Sequence, residues 1–352
     1  MEAASITETA SAPPPARKVG DVLNAYALPI VLGLALVAQF IYQPTDTLAN
    51  VKTGLSNGMV WALIALGYTL VYGIVELINF AHGEVFMIGA FVSLSLWQTF
   101  GVTQTTSIAL IVVSIVIVLV CAMLASATLN VLIERSAYRP LRNAPKLAPL
   151  ITAIGMSFIL QNVGLLWRPT PDSVPDLIGS HATYFTVFRV DILHSDVFAV
   201  IITVPLLIAL LWFVNTTKYG KAMRATAQDP DAARLMGIDV DRTISLTFLL
   251  GGMMAGAAGL IYALYNLTVR FNMGFTAGLI AFTAAVMGGI GNLKGAVIGG
   301  LIIGVIQAIS DGGNFLGLQL GEEWTPAVVF GVLIMVMVFR PQGLFGEETR
   351  EG

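Results

Sequence analysis

Residues 108–120 read IALIVVSIVIVLV, a run without a charged side chain that continues as an apolar segment to residue 132. About 20 apolar residues are needed to cross the ~30 Å hydrocarbon core of a bilayer as an α-helix. A spanning β-strand would instead alternate apolar and polar residues over about ten positions. The segment therefore predicts a helical membrane protein and excludes a β-barrel.

Comparable apolar segments recur along the whole chain. The composition agrees with a membrane protein, because 11% of residues are charged, against roughly 25% in soluble domains. We therefore predict an all-α, polytopic transmembrane bundle of about ten segments, with a range of eight to ten. The segments are roughly 26–43, 54–75, 85–100, 108–132, 149–167, 197–214, 243–265, 277–290, 296–310 and 324–339.

The basic residues are divided unequally between the two sides of this predicted bundle. Sorting the 18 Lys and Arg residues by alternate connections places 14 on one side. The other side receives Lys52, Arg168, Arg189 and Arg270. Cytoplasmic loops retain Lys and Arg, so both the N-terminus and the C-terminus are predicted to be cytoplasmic.

The domain organisation is predicted to be simple. Residues 1–22 are rich in Ala, Ser, Thr and Pro and are expected to form a disordered cytoplasmic tail. Residues 23–345 are expected to form a single transmembrane domain, and residues 346–352 a short cytoplasmic tail. The single cysteine, Cys121, excludes an internal disulfide, and no Cys/His cluster indicates a metal site.

The link between two short segments is rich in glycine. Residues 277–290 and 296–310 are joined through Gly288, Gly289, Gly291 and Asn292. They predict either two tilted spans or one re-entrant hairpin. Irregular backbone within a membrane is tolerated where it lines a cavity, so these four residues are candidates for a transport path.

Small residues recur at the spacing that lets helices approach closely. The patterns are Gly252-xxx-Gly256, Gly251-xxx-Ala255-xxx-Gly259 and Ala296-xxx-Gly300-xxx-Gly304. They predict close packing inside one subunit or a contact with a second membrane subunit.

A short helix is predicted between two spans, on the basic side. Asp229 can cap it, Pro230 suits its first position and Gly237 can end it in the left-handed conformation. Two turns are too short to be stable alone, so this helix needs a surface to dock on. It is either a solvated connector or a coupling helix that seats in a cytoplasmic motor subunit.

Several motifs resemble those of a known family. The pattern Asp231-Ala232-Ala233-xxx-Gly237 resembles the E-A-A-x-x-x-G loop by which ABC importer permeases engage their ATPases, with Asp in place of Glu. Residues 67–84, GYTLVYGIVELINFAHGE, resemble the signature of branched-chain amino acid permeases of the LivH type. Further similar stretches are 153–157, 160–162 and 281–291, and the resemblance runs from about residue 52 to 345.

The resemblance implies the membrane-spanning permease subunit of an ATP-driven importer in the bacterial cytoplasmic (inner) membrane, carrying branched-chain amino acids by alternating access. Implied partners are cytoplasmic ATPase subunits, a second and different permease subunit, a periplasmic substrate-binding protein, the substrate and membrane lipid. No nucleic acid, cofactor or metal is implied. ATPase coupling would be carried by Asp229, Asp231, Ala232, Ala233 and Gly237. The phosphate-binding pattern G-x-x-x-x-G-K-[ST] does not occur in the sequence, so the chain is not expected to be an enzyme.

Four polar residues bracket the cytoplasmic end of the second segment and the start of the third: Glu76, Asn79, His82 and Glu84. One interpretation is an interfacial turn whose acids cap the next helix. The other is a gate at the inward end of the path, because charge at membrane depth is costly and usually functional. His82 and Glu84 supply too few ligands for a metal site.

Other functions remain open from the sequence. Relatives in the family that carry urea or short amides share the motifs. A secondary transporter would place acids near the bilayer midplane, whereas the acids here are expected at segment ends or in loops. A membrane enzyme could use Asp229, Asp231, Asp239 and Asp241 to hold Mg²⁺, although helix capping accounts for these acids. The basic loop 135–142 favours contact with anionic lipid over contact with an ATPase.

Overall fold

The computed structural model describes residues 33–34, 36–142, 144–145, 147–312 and 321–346. Helices dominate this part of the chain, which confirms the predicted all-α class. Seven of its helices are long and apolar enough to cross a membrane, and two shorter apolar helices accompany them. The tail 1–22, most of the C-terminal tail and part of the segment 26–43 lie outside the described residues. Residues 36–42 are helical, and Gln43 interrupts the helix before α1 begins.

The helices occur in the following order, with bounds that differ modestly from the predicted segments. They are α1 (Pro44–Val75), α2 (His82–Phe100), α3 (Ile108–Ile133), α4 (Leu147–Trp167), α5 (His194–Thr216), α6 (Lys218–Gln228), α7 (Pro230–Leu235), α8 (Val240–Asn266), α9 (Met273–Gly288), α10 (Leu293–Asp311) and α11 (Thr325–Phe339). A π-helical turn (Glu134–Tyr138) and a 3₁₀ turn (Arg139–Leu141) follow α3.

Four short strands also occur in the part of the chain that the structure describes. The connection between α4 and α5 contains an antiparallel hairpin of β2 (Thr183–Val187) and β3 (Val190–Leu193), and β1 (Asp172–Ser173) pairs antiparallel with β4 (Thr268–Val269) after α8. The long connection between α4 and α5 thus has structure of its own.

Three helices form the centre of the bundle. About 70% of the residues in the most apolar windows of α1, α2 and α8 are buried, against 22% in α4 and α5. The central helices carry many small residues, whereas the outer ones are apolar on every face. A helix that is apolar all round and still exposed suits a lipid environment. The exposed faces of α3, α4 and α5 are therefore the ones that would meet the hydrocarbon.

The small-residue patterns pack within this chain. Gly300 of α10 lies so close to α1 that a Cβ added to it would meet the Cα of Ala62 at 2.6 Å. A Cβ on Gly256 would fall on Ala122, and one on Gly252 would meet the Cα of Ala127 at 2.8 Å. The prediction of close packing inside one subunit is confirmed for these positions. Backbones approach this closely only where side chains are absent, so the seams fix which helices are neighbours.

Helix α1 corrects the predicted position of Lys52. Because α1 begins at Pro44, Lys52 lies inside it and not in a connection. Its ammonium group pairs with Asp196 at 3.0 Å, and the Ser56 hydroxyl donates to the same carboxylate at 2.8 Å. Asp196 stands in the first turn of α5. A lysine within an apolar helix is tolerated here because its charge has a buried partner. The ion pair also joins α1 to α5.

Two helices begin inside the bundle. After α1 ends at Val75, residues 76–81 are mostly irregular, and α2 starts with the His82 ring against Gly67. Gly67 lies eight residues before the end of α1, which is about 12 Å along the helix. The segment 76–81 therefore folds back into the bundle before α2 begins. Helix α9 also starts internally, because Gly274 in its first turn packs on Gly83.

The predicted glycine link is a tight turn. Gly289 and Gly291 have φ values of 102° and 93°, which favour glycine, and the Asn292 side chain caps α10 by accepting the N–H of Gly295 at 3.0 Å. Residues after α11 cover this turn, since the N–H groups of Leu344 and Phe345 donate to the last carbonyls of α9 at 2.8 and 3.2 Å. The link thus joins two separate helices, α9 and α10.

The α1–α10 contact gives a direct test of the packing. Replacing Gly300 with Ala should lower the free energy of unfolding by about 1–3 kcal/mol, because the added methyl group collides with the backbone of α1. The matched control is Gly155→Ala on α4, where an added Cβ meets nothing within 4 Å. Unfolding in detergent, followed by circular dichroism, measures both. Equal stability of the two variants would contradict the seam.

Candidate functional site

A polar cluster lies in the middle of the bundle, where α2 begins. The side chains of His82 and Glu84 are 0% exposed. Glu84 Oε1 accepts a hydrogen bond from the hydroxyl of Ser157 at 3.3 Å. Ser157 stands at the midpoint of α4, so Glu84 lies at mid-depth.

This placement corrects two predictions. Glu84 does lie in the first turn of a helix, but the helix starts inside the bundle, so it is not an interfacial cap. The argument that the acids avoid mid-depth is therefore wrong for Glu84. Glu84 lies at mid-depth because the fold-back of residues 76–81 carries the start of α2 into the bundle, which is a property of the tertiary structure.

Aromatic rings surround the cluster on one side. The Tyr68 ring packs edge-on to His82 with centroids 5.0 Å apart, and it also contacts Phe282 of α9 at 6.0 Å. Phe80 reaches the same Phe282 ring at 5.8 Å. These rings lie between the mid-depth cluster and the end of α9 at Gly288.

A narrow cleft leads toward the cluster from that end. It lies between α1, the fold-back segment and α9, and has a cavity volume of about 10 Å³. This is room for one water at most, so the cleft is closed. Its lining residues are Tyr68, Tyr72, Ile78, Phe282, Ala285 and Ile290.

The predicted path residues are only partly brought together. Asn79, His82 and Glu84 lie inside the bundle, whereas Glu76 is exposed and ends α1 in the left-handed conformation, with φ 53°. The other four, Gly288, Gly289, Gly291 and Asn292, form the turn that ends α9 and starts α10. From that turn it is Ile290, which was not predicted, that lines the cleft.

A chain of hydrogen bonds holds the fold-back segment in place. The Tyr138 hydroxyl donates to Asn79 Oδ1 at 2.9 Å, and Asn79 Nδ2 donates to Asn130 Oδ1 at 3.2 Å. Asn130 Nδ2 then donates to the carbonyl of Phe248 in α8 at 2.6 Å. Asn79, Tyr138 and Asn130 are at most 1% exposed. An asparagine within the apolar run 108–132 was the sequence signal that could have identified Asn130.

The predicted short helix is present as α7. Asp229 Oδ1 accepts the N–H groups of Asp231 and Ala232, both at 2.9 Å, and Gly237 has φ 83°. The predicted cap, first-turn proline and left-handed glycine are therefore confirmed as local structure. Asp231 also pairs with Arg234 at 2.8 Å.

The two faces of α7 differ. Ala233 is 4% exposed and belongs to the apolar core, so it faces the bundle and not a partner. Leu235 and Met236 are 89% and 82% exposed. Neither was singled out in the sequence. The exposed side of this short helix is therefore apolar at its C-terminal end.

The acids around α7 have structural partners. Asp239 caps α8 by accepting the N–H of Arg242 at 3.0 Å, and Asp241 pairs with Arg142 at 2.6 Å and also with Arg139. Capping therefore accounts for Asp229 and Asp239, whereas Asp231 and Asp241 form ion pairs with arginines.

The ion pairs of Asp241 link α8 to the end of α3. Arg142 also pairs with Glu134, which is fully buried and accepts the hydroxyl of Ser245 at 2.7 Å. The start of α8, directly after α7, is thus fastened to the π-helical turn that contains Tyr138.

The hydrogen-bond chain can be tested with one substitution. Asn130→Ala should lower the free energy of unfolding by about 2 kcal/mol or more, because Asn79 Nδ2 and the Phe248 carbonyl lose their buried partner. Asn162→Ala on exposed α4 removes an amide that, among the described residues, donates to the Phe158 carbonyl of its own helix, and it should change stability by about 0.5 kcal/mol or less. Thermal unfolding of the purified variants measures the difference. A similar loss in both would show that the chain does not support the fold-back.

Comparisons with known proteins agree on one family. A family model described as branched-chain amino acid transport system / permease component matches residues 50–338. BraD of Pseudomonas aeruginosa, a high-affinity branched-chain amino acid transport system permease protein, is 36% identical over 314 residues, covering 88% of this chain and 98% of BraD. LivH of Escherichia coli strain K12, with the same description, is 39% identical over 316 residues, covering 89% and 98%. LivM of Methanocaldococcus jannaschii, a branched-chain amino acid transport permease protein, is 26% identical over 163 residues, covering 43% and 47%. The chain therefore belongs to the family of branched-chain amino acid transport system permease components.

Proposed function

We propose that this chain is the membrane-spanning subunit of an ATP-driven importer that carries branched-chain amino acids across the bacterial cytoplasmic membrane by alternating access. The observation that carries the proposal is the match to permeases of that description over nearly the whole transmembrane domain. The closed cleft and the buried polar cluster would then belong to the substrate path in an occluded state.

The energy source would be separate ATPase subunits docked on α7. The sequence holds no G-x-x-x-x-G-K-[ST] pattern, and α7 presents Leu235 and Met236 to solvent. Removing these two side chains from water would contribute to docking, at about 25 cal/mol per Å² of apolar surface before the costs of association. The caps at Asp229 and Gly237 would keep the short helix formed before docking.

Movement of α7 would reach the path through the contacts that follow it. The N-cap of helix α8, Asp239, lies four residues after Leu235. Asp241 fastens this helix to Arg142 and, through Arg142, to Glu134. The next contacts run through Tyr138 to Asn79 in the fold-back segment. A rigid-body shift of α8 would therefore pull on the segment that leads into Glu84.

The remaining partners follow from the family. The existence of LivM beside LivH among the relatives supports a second, different permease subunit. An extracytoplasmic binding protein would deliver substrate to the opposite end of the bundle, where the β2–β3 hairpin lies. Both termini would be cytoplasmic, as the distribution of Lys and Arg predicts.

The substrate and the energy source can be tested together. Vesicles containing the chain should take up labelled leucine only when the ATPase subunits, the second permease and ATP are present. Excess unlabelled leucine should compete, and urea should not. Competition by urea alone would replace the substrate with a small amide, and uptake without the ATPase subunits would favour a secondary transporter.

The docking surface can be tested on α7. The double variant Leu235→Asp, Met236→Asp should lose co-purification with the ATPase subunits and lose uptake, because charged side chains oppose burial at the contact. Leu235→Met is the control, since it keeps an apolar side chain of similar volume and should retain both. Normal uptake by the double variant would exclude this surface.

A further inference from the structure

We infer that the junction of α2 and α9 is a mid-depth recognition site for a zwitterion, in which Glu84 takes the substrate ammonium group and the two helix N-termini take its carboxylate. The inference rests on the proposed transport function and names the chemistry of its central site.

The acidic half of the site is a carboxylate oxygen without a partner. Glu84 is fully buried, and Ser157 satisfies only its Oε1. Among the described residues, none donates a hydrogen bond to Oε2. This oxygen points at Gly274 in the first turn of α9, where it is the nearest atom to the position a Cβ would occupy. A buried carboxylate oxygen is costly without a donor, so its natural complement is a ligand that donates hydrogen bonds and carries positive charge.

The half of the site that would take the carboxylate consists of backbone N–H groups. Helices α2 and α9 begin next to each other, and no side chain of the described residues caps either N-terminus. The first N–H groups of a helix lack partners within it and carry partial positive charge, so two converging N-termini favour an anion. Broken helices at mid-depth recognise substrate carboxylates in other membrane transporters by the same physics.

Glycines keep the site clear of side chains. Gly83 packs on Gly278 so closely that a Cβ on Gly83 would meet the Cα of Gly278 at 2.7 Å. Gly274 faces Gly83 in the same way. In this closed state the two N-termini touch, which leaves no room for a ligand. Separation of α2 from α9 would expose Oε2 and the backbone N–H groups together, with no side chain between them.

The site would discriminate by charge. An amino acid offers an ammonium group beside a carboxylate, which matches both halves at once. Urea and short amides carry neither charge, so their N–H and C=O groups would offer Oε2 and the helix ends only uncharged hydrogen-bond partners. An ammonium–carboxylate pair is a charge-assisted contact, which is roughly twice as strong as a hydrogen bond between neutral groups.

The first experiment measures uptake by the complete importer in proteoliposomes with saturating leucine-loaded binding protein. Glu84→Gln keeps the shape but removes the negative charge, and it should lower the initial rate of leucine uptake at least about tenfold, the scale of one lost charged contact. Glu84→Asp should retain an intermediate rate because it keeps a carboxylate. The matched control is Glu323→Gln, at an exposed position, which should transport at the wild-type rate. A wild-type rate for Glu84→Gln would overturn the inference.

The second experiment needs no variant and so does not depend on folding of a mutant. A hydrophobic carbodiimide is applied to the wild-type complex of permease and ATPase subunits without binding protein, and modification of Glu84 is followed by peptide mass spectrometry. Leucine should slow the modification. Isocaproate, which lacks the ammonium group, isoamylamine, which lacks the carboxylate, and urea should not.

The outcomes separate the two proposals. Wild-type leucine uptake without leucine protection of Glu84 would reject the site and leave the transport function standing. Protection by urea or isocaproate equal to that by leucine would also reject the site. Absence of leucine uptake by the wild-type importer would reject the proposed function itself and, with it, the assignment of this site to an amino acid.

Discussion

The hydrogen-bond chain from Tyr138 through Asn79 and Asn130 to the carbonyl of Phe248 is the constraint on which the interior of this protein depends. Hydrocarbon offers no hydrogen bonds, so irregular backbone at membrane depth survives only where protein supplies the partners. Residues 76–81 meet this condition because Asn79 is fastened to two neighbouring elements. The fold-back then starts α2 inside the bundle and places His82 and Glu84 at mid-depth.

Close packing by small residues makes room for this arrangement. Helix α1 contacts α10 through glycines and Ala62, and α8 contacts α3 through Gly252 and Gly256. Backbones in van der Waals contact leave helix positions well defined and exclude lipid from the polar interior. The costs of burying polar groups are thus confined to a small centre, while the apolar helices α3, α4 and α5 surround it.

The bundle also connects its cytoplasmic helix to its centre by a short series of contacts. Helix α7 is followed directly by α8, whose first turn is tied through Arg142 to Glu134 and so to the turn that bears Tyr138. Ala233 holds α7 to the core while Leu235 and Met236 stay exposed. One face of this short helix therefore belongs to the fold, and the other is available to a partner. Within the proposed function, force on the exposed face would be passed to the segment that positions Glu84.

Sequence by itself determined the class of the protein, the positions of nearly all the apolar helices, the capped helix at 230–235 and the family, because hydrophobic run length, caps and motifs are local properties of the chain. Tertiary structure alone decided that α1 extends back to Pro44, so that Lys52 lies within the helix and pairs with Asp196. It also decided that Glu84 lies at mid-depth and not at the interface, and that Ala233 faces inward. It also supplied Asn130, Ser157 and Ile290 as site residues. Depth in a bundle and the partner of a buried polar group depend on which distant segments pack together, and a pattern read along one chain does not contain that information.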